Sequence, residues 1–409
     1  MVSRIKSFLL KNESAKQTVA KNTFWLVLGD VTSRALRGIL VIYAARLLGA
    51  SDWGVFSYAI NLAAIFTLIT DIGISALIVR ESSIHPEKLP EYLSTGFYIK
   101  SFLLTIGVIL MMFLGPHISS VEGVAGLLPI AAIILAFDGF REFIFSISRA
   151  KEKMEWETGL KISTNLLIAI LGIVILLFFP SKESLAYAYA IGSGIGFIFS
   201  FYSFRNYLSG IFTKFRKDLV EPILTWAWPM ALSMLFGSMM TATDMFVLGI
   251  FKNASEVGQY SAALRIVQLL YMIPAMFGTA IFPTLSRQGK TPDELGRLAK
   301  KSVAAMLFPA LPLMIGGIAV AHPLTVFLFG GQYAPSAPIF AILLMTIISI
   351  FPGAVIVNAL YASNNQKVAM RMTICGALAN LGLDLILIPS LGGVGSAIAT
   401  AAVSAGMIY

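Results

Sequence analysis

Residues 49–60 read GASDWGVFSYAI, and residues 253–264 read NASEVGQYSAAL. Five positions of the two phrases are identical, and Asp52 stands opposite Glu256. A phrase repeated at this distance has architectural meaning only if both copies occupy equivalent places among the elements of the fold. The fold therefore depends on what surrounds each copy.

The composition places the chain in a lipid bilayer. Of its 409 residues, 57% are hydrophobic and only 12% are charged, which is more apolar surface than one soluble core of this size can bury. A membrane-spanning helix needs roughly 20 mostly apolar residues. A last such stretch begins at Val394, and we expect it to be incomplete at Tyr409. The other predicted spans are 22–48, 54–79, 94–115, 124–148, 158–179, 185–204, 222–249, 258–284, 301–322, 337–361 and 368–388.

The positive charges predict how these spans are oriented, because Lys and Arg concentrate in cytoplasmic loops. Most of the 30 Lys and Arg residues lie on the same side as the N-terminal segment, and the predicted outer loops carry only Arg46, Lys182 and Lys252. We therefore expect a multi-pass protein of the inner (cytoplasmic) membrane with its N-terminus in the cytoplasm. This insertion signal also accounts for the net charge of +9, so no nucleic-acid partner is needed to explain it.

Each copy of the repeated phrase follows an odd-numbered span and begins the next one. Ser51 and Ser255 are predicted to cap these helices, and Gly54 and Gly258 to let helices approach closely. Because six spans separate the copies, both halves enter the membrane in the same orientation. The sequence thus predicts an all-α polytopic membrane protein of two parallel six-helix lobes around a central cavity that contains the substrate path. The predicted segments are 1–21 (cytoplasmic N-terminus), 22–204 (first lobe), 205–221 (cytoplasmic linker) and 222–409 (second lobe).

Ionisable and polar side chains inside the spans are the candidate functional residues, because such groups generally face an aqueous cavity or one another. One interpretation is a cavity with fixed cations for an anionic substrate and with carboxylates that bind a coupling ion. The other is mutual neutralisation of buried charges, such as Asp30 by Arg34 on one face of the first span. The candidates for substrate binding are Arg34, Arg37, Arg265, Asn61 and Gln268, and the candidates for ion coupling are Asp30, Asp71, Asp138, Arg141, Glu142, Asp244 and Asp384.

Different candidates favour different interpretations. Arg37 and Arg265 have no acidic residue at intrahelical spacing, which favours substrate binding. Two acids and a base nearly balance in the Asp138, Arg141 and Glu142 group, which favours neutralisation. Asn380 and Asp384 share one face of the eleventh span.

Other classes of site are not indicated. Cys375 is the only cysteine, which excludes an internal disulfide and a cysteine metal cluster. No GxxxxGK[ST] phosphate loop is present, and we expect no cofactor other than a coupling cation, H⁺ or Na⁺. In TPDELGRLAKKS (291–302), Thr291, Pro292 and Glu294 predict a capped helix start.

Three stretches carry a resemblance to a known family. RLLGASDWGVFSYAINLAAIFTLITDIGISALIVRE (46–81), DMFVLGIFKNASEVGQYSAALRI (244–266) and IPSLGGVGSAIATAAVS (388–404) resemble the polysaccharide-transporter branch of the multidrug/oligosaccharidyl-lipid/polysaccharide (MOP) exporter superfamily, which is similar in fold to multidrug (MATE) exporters. The resemblance implies twelve or fourteen helices in two lobes and a flippase that moves an undecaprenyl-pyrophosphate-linked oligosaccharide, such as an O-antigen or exopolysaccharide repeat unit, by alternating access.

The resemblance also implies roles and partners. By position it assigns Arg34, Arg37 and Arg265 to the pyrophosphate and Asp30 to cation coupling. The implied partners are the lipid-linked glycan, membrane lipids, and a polysaccharide polymerase with its chain-length machinery.

Two other functions compete with the flippase. A cation-coupled multidrug exporter of the same fold predicts an acidic and apolar cavity, against which the arginines argue. An integral-membrane glycan polymerase or glycosyltransferase needs a sizeable extramembrane loop. The longest predicted outer loop here is short, comprising only residues 323–336 between the ninth and tenth spans. We therefore expect a transporter and not an enzyme.

Overall fold

The computed structural model of the chain describes residues 14–70, 72–289 and 291–407, and they are almost entirely helical. The candidate Asp71 and most of the predicted N-terminal segment lie outside these ranges. The helices are α1 (Ala15–Thr70), α2 (Ile74–Ile84), α3 (Leu89–Ile118), α4 (Val124–Ala150), α5 (Met154–Phe178), α6 (Lys182–Leu208), α7 (Val220–Phe251), α8 (Ala254–Leu270), α9 (Met272–Gln288), α10 (Pro292–Ala319), α11 (Ala321–Phe329), α12 (Ser336–Met345), α13 (Ile347–Ala362) and α14 (Gln366–Gly406).

Long apolar helices confirm the prediction of an all-α, multi-pass membrane protein. Within the described residues, nine helical stretches are long and apolar enough to cross a bilayer. Two of them, in α1 and α14, each run through two predicted spans without a loop. The arrangement of twelve spans in two six-helix lobes stays a prediction.

Glycines in left-handed conformations replace two of the predicted loops. Gly49 interrupts α1 with φ 82° and ψ 168°, and Gly392 interrupts α14 with φ 57° and ψ −136°. A side chain beyond Cα disfavours both conformations, whereas glycine adopts them readily. Each glycine therefore redirects the chain within a single residue.

Three of the predicted spans are each divided into two helices. Span 54–79 is interrupted before α2, where Gly73 has φ 84°. Span 258–284 divides at Tyr271, because Pro274 has no N–H to continue the hydrogen-bonding ladder. Span 337–361 divides at Thr346, whose hydroxyl lies 2.6 Å from that of Tyr271, so the two breaks contact one another.

Two smaller predictions were wrong and one was confirmed. The expected outer loop between the ninth and tenth spans contains α11, an apolar helix of nine residues. The cap of α8 is Asn253 and not Ser255, since the Asn253 carboxamide accepts a hydrogen bond from the Glu256 N–H at 3.0 Å. The capping box of α10 forms as predicted, with Thr291 and Glu294 each accepting the other's backbone N–H at 3.3 Å.

The chain packs into two compact units that interleave along the sequence. Unit 1 comprises residues up to Leu40, Leu62–His117 and Ala125–Leu235, and unit 2 comprises Val41–Asn61, Ile118–Val124 and Phe236 onward. The core of unit 1 is built from apolar side chains of α2, α3, α4 and α6, among them Ile78, Leu93, Phe143 and Phe204.

In unit 2 the part of α1 just before Gly49 contacts α11 and the turn that follows it. The Arg46 guanidinium donates a hydrogen bond to the Phe327 carbonyl at 2.9 Å. The hydroxyl of the fully buried Tyr333 donates to the Ala45 carbonyl at 3.0 Å. These contacts explain why residues 41–61 pack with the second half of the chain.

Candidate functional site

Two buried carboxylates lie together inside unit 2. Asp244 of α7 accepts hydrogen bonds from the Asn380 amide at 2.7 Å, the Thr400 hydroxyl at 3.0 Å and the Tyr260 hydroxyl at 2.5 Å. The same Asn380 amide lies 3.1 Å from the carboxylate of Asp384. We refer to Asp244, Tyr260, Asn380, Asp384 and Thr400 as the carboxylate cluster.

The kink at Gly392 assembles this cluster from a single helix and its neighbours. In a straight helix the stretch from Asn380 to Thr400 would be about 30 Å long. Both side chains nevertheless reach Asp244, because α14 changes direction at Gly392. Asn380 and Asp384 meet because residues four apart share a helix face.

The cluster concentrates negative charge where the bilayer disfavours it. Asp244 is 2% exposed and Asp384 is 0% exposed, and the groups that donate hydrogen bonds to them are neutral. Two adjacent carboxylates in a low-dielectric interior repel each other strongly, so either one of them binds a proton or a cation lies between them. The arrangement can therefore take up a cationic charge.

The atoms of the cluster suit a proton or a hard monovalent cation. Among the described residues, Oδ1 of Asp384 is buried without a hydrogen-bond partner. Carboxylate, hydroxyl and carbonyl oxygens are the ligands that hard cations prefer, and the Ser396 carbonyl lies 3.0 Å from the Thr400 hydroxyl. No group of three or more His, Cys, Asp or Glu residues in the described part of the chain is placed to hold a metal ion.

A second group of charged residues lines one face of α1 in unit 1. The Lys161 ammonium of α5 is 2.5 Å from the Asp30 carboxylate, and the Arg37 guanidinium donates a hydrogen bond to the Asn165 carboxamide. Asp30, Arg34, Arg37, Lys161 and Asn165 form what we term the cationic face. The pairing of Asp30 with Arg34 was one of the two interpretations of these charges, and in the structure Asp30 pairs instead with Lys161 on a neighbouring helix.

The cationic face is exposed although it lies within a membrane-spanning helix. Asp30, Arg34 and Arg37 are all exposed, and the Asp30 side chain retains 53% of its accessible surface. Contact of such groups with hydrocarbon costs several kcal/mol each, so they require water or a polar ligand. With three cations and one anion, the face carries a net positive charge and can bind an anionic group.

Glycine and threonine bring α1 and α5 together beneath this face. A Cβ at Gly29 would lie 3.0 Å from the Thr158 hydroxyl oxygen. That hydroxyl donates to the Trp25 carbonyl at 2.7 Å. The close approach lets the side chains of Lys161 and Asn165 reach across to α1.

The ionisable group on α4 is neutralised by pairing. Arg141 lies 2.8 Å from Asp138, and Glu142 lies 2.6 Å from Arg149. Arg149 also makes two hydrogen bonds, at 2.6 and 2.9 Å, to Glu157. Structural neutralisation accounts for these contacts without an ion.

The remaining candidates make contacts within unit 2. The Arg265 guanidinium donates to the Gln268 carboxamide at 3.3 Å. The Asn61 amide donates to the Ala242 carbonyl at 3.2 Å. Arg34 and Arg37 belong to unit 1, whereas Arg265 belongs to unit 2.

Sequence reasoning missed four residues of the two groups: Lys161, Asn165, Tyr260 and Thr400. Lys161 was counted among the charges that orient the protein. A signal for Tyr260 was present in the repeat, where it stands opposite Phe56 and adds only a hydroxyl. No local pattern indicates Asn165 or Thr400, because both act on a distant part of the chain.

Comparisons with known proteins agree with this architecture. The family model described as "Polysaccharide biosynthesis protein" matches residues 19–288, and the MatE model matches residues 229–386. The "Probable low-salt glycan biosynthesis flippase Agl15" of Haloferax volcanii is 22% identical over 94% of this chain and 80% of its own. The "Putative O-antigen transporter" of Shigella flexneri is 24% identical over 93% of this chain and 94% of its own.

Two solved structures show the same fold. The "Lipid II flippase MurJ, inward closed conformation" superposes with a TM-score of 0.75 at 19% identity, covering 94% of this chain and 86% of that one. An inward-facing multidrug resistance MATE transporter of the MOP superfamily gives a TM-score of 0.67 at 16% identity, covering 94% and 92%. With the family model matching more than half of its length, the chain belongs to the polysaccharide biosynthesis protein family, the polysaccharide-transporter branch of the MOP superfamily.

Proposed function

We propose that the protein is a flippase that moves a lipid-linked oligosaccharide across the cytoplasmic membrane by alternating access, with its N-terminus in the cytoplasm. The observation that carries the proposal is the exposed cationic face within a membrane-spanning helix. Relatives named as a glycan flippase and an O-antigen transporter match over nearly the whole chain. An anionic lipid-linked glycan is a substrate that such a face suits.

The diphosphate of the substrate is the group that the cationic face binds. Arg34 and Arg37 lie one helical turn apart, and a guanidinium forms strong charge-assisted hydrogen bonds to phosphate oxygens. Arg265 is the further arginine that the family resemblance assigns to this role. The sugars lie in water inside the transport path. The polyprenyl chain stays in the lipid, because moving an apolar chain from lipid into water is unfavourable.

Coupling to an ion gradient is the role proposed for the carboxylate cluster. Asp244 and Asp384 bind H⁺ or Na⁺, and the neutral donors from Asn380, Tyr260 and Thr400 hold the carboxylates in place. Binding and release of this charge would favour one conformation over another, since a ligand shifts an equilibrium by its differential affinity for the two states. A glycan polymerase and its chain-length machinery would receive the product outside.

The flippase proposal is tested by transport in proteoliposomes. The purified protein is reconstituted with a lipid-linked oligosaccharide, and the fraction that a membrane-impermeant glycosidase can cleave is followed over time. Replacing Arg34 and Arg37 together by Ala should slow flipping by at least about tenfold, because charge-assisted hydrogen bonds contribute about 1.5–3 kcal/mol each. Replacement of both by Lys should be partly tolerated. Adding Arg265→Ala should abolish flipping.

The control variant removes the same charge elsewhere. Arg297 and Arg371 are exposed and lie outside both groups, so their double Ala variant should flip at the wild-type rate. If the wild-type protein does not make the glycan accessible to the glycosidase, the flippase function is excluded. Normal flipping by the triple Ala variant would exclude the proposed substrate site and leave the function intact.

A cation-coupled multidrug exporter is the second candidate, favoured by the carboxylate cluster and by the MatE match over residues 229–386. It predicts that the same proteoliposomes accumulate a cationic dye when an H⁺ or Na⁺ gradient is imposed. Dye transport without glycan flipping would support this candidate over the first.

A further inference from the structure

We propose that a groove between the start of α5 and the end of α6 binds the headgroup of an anionic phospholipid. The groove encloses about 540 Å³ and is lined by Lys153, Glu155, Trp156, Gly159, Leu160 and Ser203. It lies wholly within unit 1, apart from the cationic face and the carboxylate cluster. This lipid site does not depend on the proposed transport function.

The charge at the groove is positive because its one acid is already neutralised. The Glu155 carboxylate lies 3.1 Å from the ammonium of Lys21, which is itself only 1% exposed. Lys153, at the N-cap of α5, is exposed. Because Glu155 is paired with Lys21, the Lys153 ammonium adds a net positive charge to the lining of the groove.

Two further cations lie on aromatic rings at the same end of α6. The Arg205 guanidinium is 4.0 Å from the Tyr202 ring centroid, and the Lys151 ammonium is 5.7 Å from that of Tyr207. Cation–π contacts of this kind leave the cation able to attract an anion. This end of α6 thus carries cations beside aromatic side chains, the composition of a membrane–water interface.

Exposed apolar side chains lie at the groove and beside it. Trp156 of α5 lines the groove and is 51% exposed, and Phe199, which shares the face of α6 that carries Ser203, is 55% exposed. An acyl chain would cover these side chains if its headgroup occupied the groove. Free phosphate has no apolar group that could cover them, so a phospholipid fits the combined surface better than a soluble anion does.

The polar lining matches a phosphodiester. Lys153 supplies an ammonium that donates to phosphate oxygens. The Ser203 hydroxyl donates to the Phe199 carbonyl at 2.7 Å, so its oxygen is left to accept a hydrogen bond from a headgroup hydroxyl. Basic pockets between membrane-spanning helices are recognised sites for anionic headgroups. By the distribution of positive charge, this end of the bundle faces the inner leaflet.

Native mass spectrometry of the intact protein tests the proposal. The protein is released from micelles containing phosphatidylglycerol or phosphatidylcholine, and the affinity for the first bound lipid is measured. We expect preference for phosphatidylglycerol and a loss of about fivefold in Lys153→Gln, since one basic residue near a membrane surface contributes about 1 kcal/mol. Lys153→Arg should retain the affinity, and Ser203→Ala should reduce it further in the Lys153→Gln background.

The matched control is Lys214→Gln, which removes one exposed positive charge from the linker after α6. This variant should bind phosphatidylglycerol within about twofold of wild type. Unchanged affinity in Lys153→Gln, or an equal loss in Lys214→Gln, would overturn the site. Displacement of the bound lipid by millimolar glycerol phosphate would assign the groove to soluble phosphate instead.

Discussion

Gly54 and Gly258, which occupy the same position in the two copies of the repeated phrase, each face the backbone at the other copy's helix start. A Cβ at Gly54 would lie 1.8 Å from the carbonyl oxygen of Ala254, and a Cβ at Gly258 would lie 1.9 Å from that of Ala50. The contact is reciprocal, as at an isologous interface between two identical subunits. The two copies of the repeated phrase therefore contact each other, and each needs its glycine for that contact.

Alanine at either glycine should destabilise the protein. A methyl group cannot occupy space within 2 Å of a carbonyl oxygen, so the two helix starts must separate, at a cost of about 1–3 kcal/mol or more. We expect Gly54→Ala and Gly258→Ala to lower the thermal unfolding midpoint in detergent by similar amounts, and the double variant to lose less than their sum.

Gly316→Ala is the control for this prediction. No atom lies within 4 Å of a Cβ placed at Gly316 in α10, and alanine favours a helix by up to about 1 kcal/mol over glycine. This variant should unfold at or above the wild-type midpoint. An equal midpoint for Gly54→Ala and Gly316→Ala would show that the reciprocal contact contributes nothing.

The carboxylate cluster should make stability depend on a cation. If Na⁺ binds Asp244 and Asp384, the unfolding midpoint of the wild-type protein rises with Na⁺ concentration, because a ligand that binds only the folded state stabilises it. Asp384→Asn should raise the midpoint in the absence of Na⁺, since it removes one of two adjacent buried charges. It should also abolish the response to Na⁺.

Thr400 offers a finer test of the same cluster. Thr400→Val removes a donor to Asp244 with little change in volume, whereas Thr400→Ser keeps the hydroxyl. We expect the Na⁺ response to weaken in the first variant and persist in the second. If neither wild type nor variants respond to Na⁺, a midpoint that shifts with pH in wild type and not in Asp384→Asn identifies the proton as the bound cation.

Local spacing predicted the contacts that a single helical turn determines. Thr291 and Glu294 form their capping box, and Asn380 meets Asp384, because both pairs are set by three or four residues of one helix. The same rule failed for Asp30, where local spacing indicated Arg34 but Lys161 of α5 lies closer to its carboxylate. Tertiary contacts override local ones wherever two helices pack, and a single sequence does not say which helices do.

The repeat shows the same limit at larger scale. Its glycines indicated that helices approach closely at this point, but not that Gly54 and Gly258 approach each other's helices. Thr400 was missed because only the turn at Gly392 brings it to Asp244. A one-residue change of direction deep in an apolar stretch leaves little trace in hydrophobic periodicity.

The ion pair between Asp30 and Lys161 should behave as an exchangeable pair. Lys161→Met leaves Asp30 with an exposed charge inside the membrane-spanning region, and we expect it to lower flipping and stability together. Exchanging the two residues, in Asp30→Lys with Lys161→Asp, should restore most of the stability. Because the pair is partly exposed, the recovered coupling energy should be about 0.2–1 kcal/mol.

Transport distinguishes this pair from a coupling site. If the Asp30–Lys161 contact only positions the cationic face, the exchanged variant flips the glycan and still responds to the ion gradient. If Asp30 itself carries the coupling ion, then Asp30→Asn becomes insensitive to collapse of the gradient while Asp384→Asn stays sensitive. Assigning the coupling ion to Asp30 or to Asp384 thus predicts opposite outcomes in the same assay.

Arg149 should prove structural, together with the two acids that contact it. Glu157 is 1% exposed and receives two hydrogen bonds from Arg149, so Arg149→Met leaves a buried carboxylate without its cation, at a cost of about 3–5 kcal/mol. Replacing both Arg149 and Glu157 by Met removes the unpaired buried charge and should recover most of this loss.

Glu142 retains 42% of its side-chain surface, and its replacement by Gln should cost no more than about 1 kcal/mol. Unfolding midpoints rank these variants, and flipping by Glu142→Gln should respond to the ion gradient as wild type does. A Glu142→Gln variant that flips but ignores the gradient would place the coupling ion in α4 instead of the carboxylate cluster.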